Sequence, residues 1–529
     1  MPHSAISDAR RAGAHSPRPA PNLPRRVARS AWSSATSSAM GRMVPRMAVL
    51  LAVAAGAGCD DGLDSTTAPV LSSSPPVQRY ASPAGRAGGD GTAGQPWDLR
   101  TALSGKAAIR PGDTLWLRGG AYKGCYTSHL TGTAAARIVV LQYPGEHATL
   151  DNAGCGDPAL TVHGAYTDFR GFEVTNSSPR AGGPQGIDSF GDEIRFINLV
   201  VHDAAGSGIG FWKEGSGGEI YGSILYNNGR TFNLDHGIYT QNATGTKRIV
   251  DNVVFDSWAF GVHAHGSEKA PLTGYVIEGN ALFANGSIGE NGAAPNLLVG
   301  GGTPAASIVV RGNYLYGPED GTGNMWLGYE APNADLVLAD NVVVGGDPAL
   351  RVWYWSSVVA TDNVFAGAES VVDIRGATRG MKWGGASFYA NPAALAWMLN
   401  DTRLTLTKWL AGTGFDAPVR TPITPANEPW VFVRPNIYEP GRGHVIVYGR
   451  GGRATVEVDV SAILRRGDVY EVRPVERVLD EPVQKGVYAG GLLSLPMTPV
   501  TPPSPMGGAG VPAPSTRPAF GVFLITRRP

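Results

Sequence analysis

Tyr239 and His263 fall at equivalent places in neighbouring copies of a repeat, and together they could move a proton to and from a bound substrate. An imidazole with a pKa of about 6.5 accepts a proton at neutral pH, and a phenol at about 10 can donate one to a leaving oxygen. Such a pair suits β-elimination or C5-epimerisation of a uronic acid, where C5 loses a proton beside a carboxylate whose charge must be neutralised. Lys213, just after Trp212 on the preceding copy, is the nearest cation. His236, in the dense tract Asp235-His236-Gly237-Ile238-Tyr239-Thr240-Gln241-Asn242, is the alternative base. A lone histidine near a bend also serves as a structural hydrogen-bonding group.

These residues are selected by strand alternation, which sends successive side chains to opposite faces. Ile187, Ile209, Ile238, Val262, Leu297, Met325, Leu350 and Val372 align as inward residues at steps of 22, 29, 24, 35, 28, 25 and 22. The residues after them then face out: Asp188, Gly210, Tyr239, His263, Leu298, Trp326, Arg351 and Asp373. A second outward row reads Phe190, Trp212, Gln241, His265, Gly300, Gly328, Trp353 and Arg375. Aromatic rings along a polar stripe suit sugar faces, so Trp212, Gln241, His265, Trp326, Arg351, Trp353 and Arg375 are assigned to substrate binding. The alternative is that loops or a C-terminal domain cover these rings. Hydrolysis by paired carboxyls needs them about 5 to 9.5 Å apart. Asp188 and Asp373 lie seven coils apart, on the order of 34 Å, so that chemistry would have to use others, such as Asp235 or Glu330. A glycan-binding or surface-structural protein without catalysis would carry the same stripe.

The element that must position these rows is a solenoid. An Asn-centred phrase recurs at Asn198, Asn252, Asn280, Asn313, Asn341 and Asn363, with Ser223 standing in once, at steps of 25, 29, 28, 33, 28 and 22 residues. So short a unit cannot bury a core alone, and its copies must stack. Its stretches are Val-, Ile- and Tyr-rich with period 2, broken by Gly and Asn, which favours strands over helices. Asn tolerates a left-handed bend, and stacked amides can bond from copy to copy. The reading is all-β: a right-handed parallel β-helix over 89–420, then a small β-sandwich over 425–529 with a packing or glycan-contact role.

Lys+Arg and Asp+Glu are equal at 44 each, so bulk charge gives no reason to expect a nucleic-acid partner. Residues 1–59 read as a leader. The apolar run Met47–Ala57 follows Arg42 and Arg46, precedes Gly58-Cys59, and has signal-peptide length. It resembles a bacterial lipoprotein signal with Gly56 where Leu is usual, so Cys59 is the expected lipidation site and membrane anchor; plain secretion is the alternative. Residues 60–88 read as a disordered tether. Cys125 and Cys155, 30 residues apart, could pair on adjacent coils outside the cytoplasm, or remain two buried thiols. Glu319-Asp320-Gly321-Thr322-Gly323-Asn324 groups oxygens that could hold Ca2+, though it lacks EF-hand spacing and reads more simply as a turn. No other metal or cofactor is expected, and a monomer is.

Pro111-Gly112-Asp113-Thr114, leading into Leu115-Trp116-Leu117, follows a Gly-rich opening at Gly89 and a helix-like stretch at Leu99–Ala108. This opening resembles secreted right-handed β-helix proteins of the pectate-lyase-like superfamily, including alginate- and chondroitin-lyase types. The likeness runs over about residues 89–420, and Leu404–Asp416 is similar to the helical closing segment of those proteins. The resemblance implies a β-helix acting on a polysaccharide. The Lys and Arg catalytic motifs of characterised lyases of this fold are not found here.

Overall fold

The computed structural model describes residues 75–289, 294–317, 323–330, 332–415, 428–508 and 510–528. The leader with Cys59, and the Glu319-Asp320 part of the proposed calcium loop, lie outside these residues.

Each coil contributes three short strands to three long sheets. Sheet I has twelve strands, from Gln78–Ala81 to Met381–Gly384; sheet II has eleven, from Gly120–Lys123 to Ser387–Phe388. Sheet III has twelve, from Tyr126–Ser128 to Thr402–Leu404, and all its pairings are parallel except the last. The alternating strands put one apolar set into the lumen. The eight inward residues named from the sequence, Ile187 to Val372, are each 0 % exposed.

The amide ladder forms at the bend from sheet I to sheet II. Asn252, Asn280 and Asn313 each donate backbone N–H and side-chain Nδ2 to the Oδ1 of the next Asn, at 2.9 to 3.1 Å. Asn341 does the same to Asn363. Each bend therefore satisfies donors that burial would otherwise orphan. Ser223 joins the ladder, and Leu199 N–H donates to its Oγ. Asn198 lies one residue earlier than the repeat spacing implied: it sits in a left-handed position (φ 56°) and bonds the C-terminal domain. A second ladder, unforeseen from sequence, links Asn285, Asn296 and Asn324 at the bend into sheet III. It commits the Asn324 side chain, the one described residue of the calcium loop with an amide to offer, to Asn296 and two carbonyls.

The ends are closed and the first coil is longer than expected. Gln78–Ala81, inside the stretch read as a tether, pairs with Thr114–Leu117 as a strand that covers the edge of sheet I. The helix Leu99–Leu103, shorter than the stretch to Ala108, buries Leu99, Ala102 and Leu103. At the far end the helix Leu406–Thr413 plugs the lumen with fully buried Trp409. Cys125 and Cys155 are joined by a disulfide, with their Cα atoms 6.1 Å apart.

The C-terminal domain is an antiparallel five-stranded sheet with a two-stranded ribbon, Thr455–Asp459 and Leu492–Pro496, packed on one face. Val445, Val447, Val458, Leu495 and Phe523 fill the space between them. The opposite face packs on the outside of sheet II, where Ile446, Tyr448, Phe520 and Val522 meet Ile224, Val253, Phe255 and Phe283. Tyr448 Oη donates to Leu315 and Val342 carbonyls of the β-helix, and Arg434 pairs with Asp251 at 2.6 Å. Packing is thus one role of this domain, and its apolar seam is built on sheet II, away from sheet III.

Candidate active site

Sheet III brings the two outward rows together in the register read from the sequence. Asp188, Gly210, Tyr239, His263, Leu298, Trp326, Arg351 and Asp373 pair residue by residue along the sheet. His265 pairs with Gly300, and Trp353 with Arg375, in the second row. The column is continuous because inward positions on both sides are apolar and locked in the lumen; a one-residue slip would bury the charged set.

Along this face runs a ladder of rings. His129 stacks on His163 (centroids 5.7 Å apart), His163 on Phe190 (5.2 Å) and Phe190 on Trp212 (6.1 Å). Trp212 meets Tyr239 at 5.3 Å, and Tyr239 meets His265 at 6.0 Å. His129 and His163 escaped the sequence reading. They follow Ser128 and Val162 as Phe190 follows Ser189, so extending the register two coils toward the N-terminus would have found them.

Asp188 reaches across Gly210 and accepts a 2.6 Å hydrogen bond from the Trp212 indole. A Cβ on Gly210 would lie 2.3 Å from Asp188 Oδ1 and 2.7 Å from Trp212 Nε1, so only glycine leaves room for this bridge. Burial pushes the Asp188 carboxyl up to about 6, against the hydrogen bond that favours its charged form. The bridge fixes the plane of the Trp212 ring.

At the centre, Gln241 Nε2 donates to Tyr239 Oη at 2.9 Å, and no group among the described residues accepts the phenol's own proton. Burial raises the Tyr239 pKa, so the group stays protonated at neutral pH. His263 Nδ1 shares a 3.1 Å hydrogen bond with His236 Nε2. His236 is 1 % exposed, and burial, reinforced by His265, brings its pKa down to about 3. The pKa of His263 is likewise held well below the imidazole range, by burial and by both neighbouring histidines. His236 therefore lies under the site and orients His263, and the more exposed imidazole is that of His265. No lysine or arginine among the described residues contributes to the shifts of Tyr239 or His265.

Lys213 pairs with its chain neighbour, its ammonium 3.5 Å from Glu214. The cation beneath the site is Lys247, absent from the sequence reading, which enters the lumen from sheet I and donates to the Phe211, Trp212 and Gln241 carbonyls. It ties together the ends of the two strands that carry Trp212 and Tyr239. Its one sequence signal is a lysine at an inward register position.

A separate cluster occupies the far end of the face. Arg351 lies over Trp326 (4.8 Å) and near Trp353 (5.7 Å), and Arg375 stacks on Trp353 at 3.9 Å. Trp353 Nε1 donates to Asp373, and Arg375 pairs with Asp401 at 2.7 Å. This cluster begins two coils from His263, at Trp326, with Leu298 and Gly300 on the one coil between.

The buried histidines predict a pH dependence of stability. The unfolded chain takes up a proton on His236 at about pH 6.5, whereas the native site refuses it until about pH 3. Proton uptake therefore favours the unfolded chain, and stability is full above about pH 6.5 and is lost as pH falls toward 3. Urea titrations should show the midpoint dropping on acidification, with a shallower drop in His236→Gln. A midpoint equally pH-dependent in that variant would remove His236 from the account.

Residues 79–260 match the model of a family described as Pel9A-like, right handed beta helix region. Among solved structures, the crystal structure of pectate lyase Pel9A is similar at 20 % identity and a TM-score of 0.42, covering 60 % of this chain and 75 % of that one. The GH136 lacto-N-biosidase from Eubacterium ramulus is similar at 14 % identity and 0.45, covering 66 % and 68 %. The alginate lyase from Paenibacillus sp. str. FPU-7 is similar at 20 % identity and 0.38, covering 61 % and 99 %. No curated protein sequence matches the chain.

Proposed function

We infer that this right-handed parallel β-helix protein lays an acidic polysaccharide along the outer face of sheet III and acts on it by β-elimination or C5-epimerisation. The carrying observation is the Tyr239 hydroxyl: its acceptor side is taken by Gln241, its proton is unspent, and its ring adjoins His265. The match of residues 79–260 to a Pel9A-like, right handed beta helix region agrees with this face as the working surface of a β-helix.

In this reading His265 replaces the more deeply buried His263 as the proton acceptor, with His263 and His236 behind it. The C5–H bond breaks and its proton goes to the imidazole. For elimination, the C5 electron pair forms the C4–C5 double bond, the C4–O4 bond breaks, and Tyr239 protonates the departing oxygen. For epimerisation, Tyr239 returns a proton to C5 from the opposite face. Lys213, released from Glu214, would meet the substrate carboxylate, while Trp212 and the ring ladder hold neighbouring sugars and Trp326, Arg351, Trp353 and Arg375 a distal one. In this reading the action lies outside the cytoplasm, with residues 1–59 as an export leader and Cys59 as the lipid anchor.

Incubation with polygalacturonate, alginate and glycosaminoglycans should produce ultraviolet absorbance from an unsaturated uronate, or changed sugar stereochemistry by NMR. Reducing ends without unsaturation would mean hydrolysis and overturn the elimination. Binding without chemistry is the second reading, favoured by the lack of a cation acting on Tyr239 and His265; retention of polymer with neither product would establish it.

A further inference from the structure

We propose that the groove between the β-helix and the edge strand Trp430–Pro435 of the C-terminal domain is a second carbohydrate site, built for a neutral saccharide. It goes beyond the uronate reading of sheet III and shares no residue with it.

One column of bend positions leads into the groove. Asn198, Gly222, Asp251, Gly279, Gly312, Asp340, Asp362 and Gly385 occupy the place just before the amide ladder, each with a left-handed φ between 53° and 69°. Only glycine, Asn and Asp hold this conformation at low cost. Where the C-terminal domain seals the column, every polar side chain is used. Asn198 bonds Asn436 and Glu439, and Asp251 bonds Arg434. Beyond Gly312 the seal stops. The carboxylates of Asp340 and Asp362 have no hydrogen-bond or ion-pair partner among the described residues, and both residues line a groove of about 640 Å³. Their proximity shows in Asp340, whose pKa is raised by partial burial and then by Asp362.

Two further features point to a sugar. Tyr389 and Trp430, with ring centroids 5.2 Å apart, line the same groove, and Arg450 stacks on Trp430 at 4.1 Å, holding that ring in place. An aromatic wall beside carboxylate acceptors matches a saccharide, whose C–H faces are apolar and whose edge hydroxyls are donors. The volume is within the range of small-ligand sites, about 300 to 1,000 Å³. Charge then narrows the class. The lining cations are engaged, Arg311 with Glu278 at 2.8 Å and Arg434 with Asp251 at 2.6 Å. Among the lining residues the charges without an ion-pair partner are the two carboxylates, which would repel a uronate and welcome hydroxyls, while Arg450 is committed to the faces of Tyr389 and Trp430.

The test uses the full chain and calorimetric titration with cellohexaose, xylohexaose and mannohexaose. At least one should bind, and Asp340→Gly with Asp362→Gly should weaken it by roughly tenfold or more, since hydrogen bonds to charged groups are the strong ones. Glycine suits this substitution because it already occupies the column at Gly279, Gly312 and Gly385. The same double variant should leave any action on uronate polymers unchanged, and Trp212→Ala should leave hexaose binding unchanged, so the two sites fail separately. No binding of any of the three hexaoses, binding indifferent to the glycine variants, binding of a galacturonate hexamer in their place, or heat evolved only with Ca2+ would each overturn the proposal.

Discussion

Replacing Tyr239 with phenylalanine is expected to lower kcat on a uronate polymer by roughly 10²- to 10⁴-fold, the usual worth of a positioned acid or base, with KM little changed. The ring is the part that packs: it meets Trp212 at 5.3 Å, His263 at 5.7 Å and His265 at 6.0 Å, and phenylalanine keeps those contacts. What disappears is the hydroxyl that accepts from Gln241 and holds a free proton. Trp212→Ala should do the reverse. It removes a sugar platform and the partner of Asp188, so KM rises with a smaller change in kcat. Steady-state kinetics on the two variants separate the roles. If Tyr239→Phe turns over like the parent, the hydroxyl takes no part in the reaction and the assignment of the centre fails.

The sequence reading captured the register of sheet III because that signal is redundant: eight inward residues, each completely buried, fix the same alignment. What alternation could not show was depth. His263 and His265 lie on one strand and both point outward, yet His236 and Phe260 pack against His263 and seal it off. Those contacts come from the bends between strands, where no period constrains a side chain. The misplacement of Asn198 has the same origin. Asn suits both the left-handed position and the ladder position beside it, and only the hydrogen bonds distinguish them. Lys247 was illegible for a different reason: an inward lysine contradicts burial preference until three carbonyls are found waiting for its ammonium. The groove of Asp340 and Asp362 depends on where the C-terminal domain docks, and pairing between distant segments leaves no local pattern.

Asn280→Ala is expected to cost about 3 to 5 kcal/mol of stability, a loss reserved for a few mechanisms of which orphaned buried polar groups are one. Asn280 Oδ1 accepts from both N and Nδ2 of Asn252, and its own Nδ2 donates to the Ile249 carbonyl and to Asn313 Oδ1. Alanine removes all four bonds from a bend that is 0 % exposed. Asn252 Nδ2 retains the Ile220 carbonyl, and Asn313 Oδ1 retains the Asn280 N–H. The Asn252 N–H loses the bond that the ladder supplies, at a residue that is 0 % exposed. Ser223 shows how much can be recovered, since its hydroxyl accepts the N–H of Leu199 in the equivalent place. Asn280→Ser should therefore be milder than Asn280→Ala by about 1 to 2 kcal/mol, the worth of keeping one buried donor satisfied. Urea denaturation of the three proteins orders them directly. If serine and alanine are equally destabilising, the ladder acts through amide packing and its hydrogen bonds are not what hold the coils in register.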